Sequence, residues 1–160
     1  MPQGISFARL AALLGKSEAA TEVAEVCRAL GDPVLEESAN YRCLEYKGSG
    51  VSLVFKSPIG TAPAASPEGT LLEAIHLFGQ GVEGHTAYGG QLPFGIQLGD
   101  SAEDVRAKAP GASESGGAYD DPLLGRTRAW LRFVWEGGVR LRVEFDEEDT
   151  TAVLATLDQG

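Results

Sequence analysis

The chain has 160 residues, 43% hydrophobic and 22% charged, which suits one globular domain burying roughly 70% of its unfolded surface and excludes a disordered or fibrous chain. Asp and Glu together number 23 against 13 Lys and Arg, a formal charge of −10, so the chain as a whole lacks the basic footprint that phosphate neutralisation needs and nucleic acid is not an expected partner. No apolar run approaches the ~18 residues of a membrane span, and no basic segment leads into a long apolar core near Met1, so a cytoplasmic, unexported protein that avoids membranes is expected.

Phe7, Leu10, Ala11 and Leu14 fall on one helical stripe that stops at Gly15, a residue suited to a left-handed cap. Ser17 is placed to cap a second helix, in which Val23, Val26, Cys27 and Leu30 recur at helical steps before Gly31-Asp32-Pro33 ends it. From Tyr41 the period falls to two. Leu44 and Tyr46 share a face, Gly48-Ser49-Gly50 turns the chain, and Val51, Leu53 and Phe55 return along the same face, which predicts a β-hairpin. The segment from Ser57 to Thr70 carries three of the eight prolines and reads as an exposed, mobile loop. Leu71 to Phe78 then has the length and apolar content of a strand. Cys27 and Cys43 are too few for a disulfide framework and are expected as free thiols behaving as small apolar side chains.

After a Gly-rich connector the pattern restarts. Gly99-Asp100-Ser101 echoes Gly15-Lys16-Ser17, and Ser101 with Asp104 has the capping-box spacing for a helix that ends at Ala109-Pro110-Gly111. A second hairpin follows, with Trp130 to Trp135 and Val139 to Phe145 joined through Glu136-Gly137-Gly138, and a last strand is predicted from Thr151 to Leu157. The expected architecture is α+β: two tandem units of helix, antiparallel hairpin and third strand, at 1–80 and 99–160, with a connector at 81–98, packed as one globular protein.

Residues that imitate catalytic or cofactor motifs fail on context. Gly79-Gln80-Gly81-Val82-Glu83-Gly84 matches the dinucleotide fingerprint, but no helical periodicity follows to hold a pyrophosphate. Leu14-Gly15-Lys16-Ser17 resembles the end of a phosphate-binding loop, yet a helix precedes it and Leu10 stands where glycine is required. His76 and His85, the two histidines, sit nine residues apart with no ligand spacing around them. His76 is expected to be hydrogen-bonded or solvent-facing on its strand, and paired acids such as Asp120 and Asp121 read as turns. No catalytic residue, cofactor or metal is therefore expected.

What remains is surface. No Lys or Arg occurs from Ser57 to Val105, whereas Glu68, Glu73, Glu83, Asp100, Glu103 and Asp104 all do, a one-sign stretch able to steer a cationic partner. A second acidic cluster, Glu144 with Asp146, Glu147, Glu148 and Asp149, precedes the last strand. The period of the second hairpin puts Trp130, Arg132, Arg140 and Arg142 outward, and tryptophan and arginine are the side chains most enriched at interface hot spots.

The G-x-S-x-x-x-V helix start, the helix closing at Leu30-Gly31-Asp32-Pro33, and hairpins punctuated by an aromatic and glycine resemble the repeated units of SmpA and β-lactamase-inhibitor-like proteins. The segment from Tyr88 to Ile96, running into Gly99-Asp100-Ser101 and Asp104-Val105, is similar to a connector found in small immunity proteins of bacterial polymorphic toxin and type VI secretion systems. The resemblance implies a non-catalytic protein, monomeric or weakly dimeric, that occludes a cognate toxin or effector domain, with a nuclease a suitable basic target for so acidic a chain. Expected partner-binding residues are the acids Glu83, Asp100, Asp104 and Asp146 to Asp149, with Tyr88, Phe94, Trp130 and Arg132 giving close contact. A cytosolic adaptor or small-ligand module, its pocket lined by the connector, is the alternative.

Overall fold

The structure is a computed structural model that describes residues 5–38, 41–57, 69–109, 111–116, 119–123, 125–146 and 151–159. Two helices open the chain, α1 at Phe7–Ala11 and α2 at Thr21–Leu30. Ser6 caps α1 by accepting the Arg9 N–H. Ser17 does not cap α2, as its sequence position suggested: the helix begins after Ala20 without a side-chain cap. Ser17 instead forms a bridge with Leu71, and its hydroxyl oxygen accepts the Ala19 N–H. Backbone pairing to the start of the third apolar strand thus outcompetes local capping at this serine.

Four strands follow, β1 at Val34–Glu37, β2 at Tyr41–Tyr46, β3 at Val51–Lys56 and β4 at Leu71–Phe78. Past the connector come α3 at Ala102–Lys108, β5 at Glu114–Gly116, a small hairpin of β6 (Tyr119–Asp121) and β7 (Gly125–Thr127), then β8 at Trp130–Val134, β9 at Arg140–Phe145 and β10 at Ala152–Asp158. The capping box of α3 forms as its spacing requires, Ser101 and Asp104 each accepting the other's backbone N–H.

Eight strands join one antiparallel sheet in the order β1-β2-β3-β4-β10-β9-β8-β5, and β6 pairs only with β7. The protein is therefore α+β. The halves of the chain do not build separate sheets: each supplies four strands, and they meet where Ile75 of β4 faces Leu157 of β10. Counted inward from its edge, each half contributes its strands in chain order.

Strand register explains the core. Leu44, Leu53, Ile75, Leu157, Leu141 and Phe133 lie side by side across six strands, and Tyr46, Val51, Leu77, Ala155, Val143 and Leu131 form the neighbouring row. All twelve are buried, in one cluster with Phe7 and Leu10 of α1, Val23 and Val26 of α2, and Val105 of α3. Period-two alternation makes this face apolar, and the three helices bury their apolar stripes in the cluster it feeds. Two edge strands escaped sequence reading because neither has an apolar face: β1 is exposed throughout, and β5 is Glu114-Ser115-Gly116.

Candidate functional site

The opposite sheet face carries a polar row in the same register logic. Glu45, Ser52, His76, Thr156, Arg142, Arg132 and Glu114 are successive cross-strand neighbours from β2 to β5. Seven residues scattered between positions 45 and 156 thus form a single band. At its centre the His76 Nδ1 lies 2.8 Å from the Thr156 hydroxyl, and the Cys43 thiol lies 3.1 Å from the Ser52 hydroxyl. Burial raises the Cys43 pKa, with the Ser52 hydrogen bond opposing, so this thiol is held in its unreactive protonated form. Cys27 is likewise a free cysteine whose burial raises its pKa.

Burial lowers the His76 pKa below its ordinary 6.5, only partly offset by the Glu83 carboxylate. The folded protein therefore favours neutral His76, whereas the unfolded chain takes up this proton first as pH falls. The contribution is fully present above the unfolded pKa near 6.5 and is lost as pH drops toward the lower folded value. Urea midpoints measured at pH 7.5 and pH 5 should fall between the two conditions, and fall less in His76→Gln; equal decreases in both proteins would rule His76 out as a source.

At the β8–β9 end of the band, Trp130 is the hub. The guanidinium carbons of Arg132 and Arg142 lie 5.2 and 4.5 Å from its ring centroid, within cation–π range. Arg132 also donates to Glu114 Oε2 at 3.1 Å, and Arg140 to Asp158 Oδ1 at 2.7 Å. Gly116 admits the indole: a Cβ there would overlap Trp130 Nε1. A cavity of about 290 Å³ adjoins the tryptophan, lined by Ala102, Arg106, Ser115, Leu131 and Phe145 among others. The connector does not line it.

The other residues expected at an interface are distributed differently. Tyr88 is a core residue, its hydroxyl donating to the Ile5 carbonyl and its pKa pushed up to about 12 by burial. Phe94 is half-buried, in the left-handed region at φ +63, with its ring centroid 6.2 Å from that of Phe133. Asp100 is engaged within the fold, accepting from the Gln97 N–H at 2.9 Å and from Lys108 Nζ at 2.8 Å, and Asp104 serves the α3 capping box. Glu83 is exposed, at φ +50, and its carbonyl accepts from Lys47 Nζ at 3.5 Å. Asp146 is half-buried where its N–H bonds the Thr151 carbonyl; Glu147, Glu148 and Asp149 lie outside the described residues, as does most of the proline-bearing loop. Among the described members of the expected set, Trp130 and Arg132 are brought together on this face, joined by Arg142, which the hairpin period placed outward without marking it as a site.

Among the described residues no group of three or more His, Cys, Asp and Glu is placed to hold a metal ion, and no helix is long and apolar enough to cross a membrane. The fold recurs in a solved structure. The chain is similar to an extracellular protein containing an SCP domain from Bacillus anthracis, at 10% identity and a TM-score of 0.54, with 99% of this chain covered. It spans about half of that neighbour, 47% of its length. A DUF4309 family protein (YjgB) from Bacillus subtilis also aligns, at 17% identity and a TM-score of 0.46, over 84% of this chain and 76% of its own. No protein-family model matches the sequence.

Proposed function

We propose that this chain is a non-catalytic binding protein that neutralises a cognate toxin domain in the cytoplasm, docking it against the sheet face opposite the helices. The observation that carries the reading is the Trp130 hub: an aromatic ring with two guanidinium groups against it, on a face whose helical cover lies on the other side. The few residues that carry most of the binding energy at protein interfaces are enriched in tryptophan and arginine. The overall charge of −10 favours encounter with a basic partner, accelerating association while close contact decides affinity.

The test begins with capture from native lysate at low and high salt and identification of the captured protein. Co-expression decides. The captured partner expressed alone should arrest growth, and growth should recover when this chain is supplied with it. A partner that is harmless alone, or that remains toxic beside a stably expressed chain, contradicts the proposal. A second reading, a small-ligand module, is favoured by the cavity beside Trp130, half-lined by apolar side chains with Arg106 and Ser115 as polar contacts. A stoichiometric small molecule in the purified protein, lost on Ser115→Trp at the exposed rim of the cavity, would support it instead.

A further inference from the structure

Resting on the docking reading above, we infer that Arg142 is an oxyanion position that receives a carboxylate side chain of the bound partner. Three arginines share this part of the outer face, and two donate hydrogen bonds to carboxylates: Arg132 to Glu114 at 3.1 Å and Arg140 to Asp158 at 2.7 Å. Arg142 makes no such bond among the described residues. Among the described residues its acidic neighbour is Glu144, 4.0 Å from Nε and beyond hydrogen-bond distance, and the Nε itself is buried without an acceptor. The side chain is still 35% exposed, so the guanidinium retains an outward route to solvent.

Position makes the unmet donors significant. Arg142 lies directly opposite Arg132 in the β8–β9 register, and like charges facing one another across a ladder repel. The Nε of Arg132 is also buried without a partner. An anion placed over Arg142 would relieve the repulsion and give charge-assisted acceptors to its terminal guanidinium nitrogens, the donors on the exposed part of a side chain whose Nε is buried. The Trp130 ring, 4.5 Å from the guanidinium carbon, restricts the plane of the fork, so less rotational freedom is lost when a ligand binds. On the other side Thr156 is the cross-strand neighbour; when His76 Nδ1 carries the proton that its 2.8 Å contact shares, the Thr156 hydroxyl hydrogen is free to donate to the same anion.

The chemistry favours a carboxylate over a phosphate. A planar two-oxygen anion matches the two terminal guanidinium nitrogens end-on, and a single negative charge is tolerated where a dianion would meet Glu114 and Glu144 in a chain of charge −10. An acidic side chain on the partner fits, whether or not its domain is basic overall.

The probe is an N-acetylated, amidated tri-glutamate peptide titrated into the full chain at constant ionic strength, with the indole Nε1–H and arginine Nε–H resonances followed by NMR. The expected result is a saturable shift of the Trp130 and Arg142 signals while Trp135, the other tryptophan, stays still. Arg142→Gln should abolish the shift and Arg140→Gln retain it. Arg142→Lys, which keeps the charge but loses the fork, should weaken binding by roughly tenfold. No shift with peptide, an equal shift with sodium chloride or inorganic phosphate, or a shift that survives in Arg142→Gln overturns the inference. Toxin neutralisation that persists through such a failure leaves the docking reading intact, so the two fail separately.

Discussion

Phe133→Ala should lower stability by about 3 to 5 kcal/mol, one of the two largest effects expected in this molecule. Phe133 ends the row that runs from Leu44 through Ile75 and Leu157, is 2% exposed, and meets the Phe94 ring of the connector. Removing the ring deletes its transfer energy and leaves a cavity where strand pairing prevents the sheet from collapsing inward. For a protein of this size the melting temperature should fall by roughly 10 °C or more. Calorimetric melting of the variant checks it, and a decrease under about 3 °C would mean that the core does not extend under the β8–β9 hairpin.

Gly50→Ala is expected to cost roughly 2 to 4 kcal/mol, more than an exposed turn substitution normally does. Gly50 adopts φ +68, and a Cβ there would overlap the Thr86 carbonyl and the Tyr88 N–H. Its own carbonyl accepts from the Phe78 N–H at 2.9 Å. The first hairpin turn is therefore the platform on which the connector lies, and both obstructing groups are backbone that cannot rotate away. Urea denaturation should show the loss, whereas Gly48→Ala, where a Cβ meets nothing within 4 Å, should be close to neutral. Equal effects at both glycines would contradict the packed connector.

The hairpins and the third strands were legible because their apolar residues alternate cleanly, and Ser101 with Asp104 was legible because capping is local. Pairing that depends on the backbone alone was not. Val34 and Leu35 of β1 are half-exposed, so the strand shows no apolar face, and nothing in Glu114-Ser115-Gly116 announces a partner in β8. Trp130 and Arg132 could be read as neighbours because they lie two residues apart on one strand. The rest of the band could not. Ser52, His76, Thr156 and Arg142 meet only through the register of four strands, and register over such separations is fixed by the whole sheet. Composition did not reveal local partners: Asp100 and Asp104 accept hydrogen bonds within their own turn and helix start, and Tyr88 closes on Ile5 where a free aromatic had been expected.

The most direct test of the docking face is the affinity of the captured partner for Trp130→Ala, measured by calorimetry beside the unaltered chain and Val134→Ala on the same strand. Trp130 contacts two guanidinium groups and fills the space that Gly116 leaves, whereas Val134 is 60% exposed. The account predicts a loss of about 30-fold or more for Trp130→Ala, little change for Val134→Ala, and a retained fold in both. Unchanged affinity in a folded Trp130→Ala protein would place the partner on another surface and contradict the account.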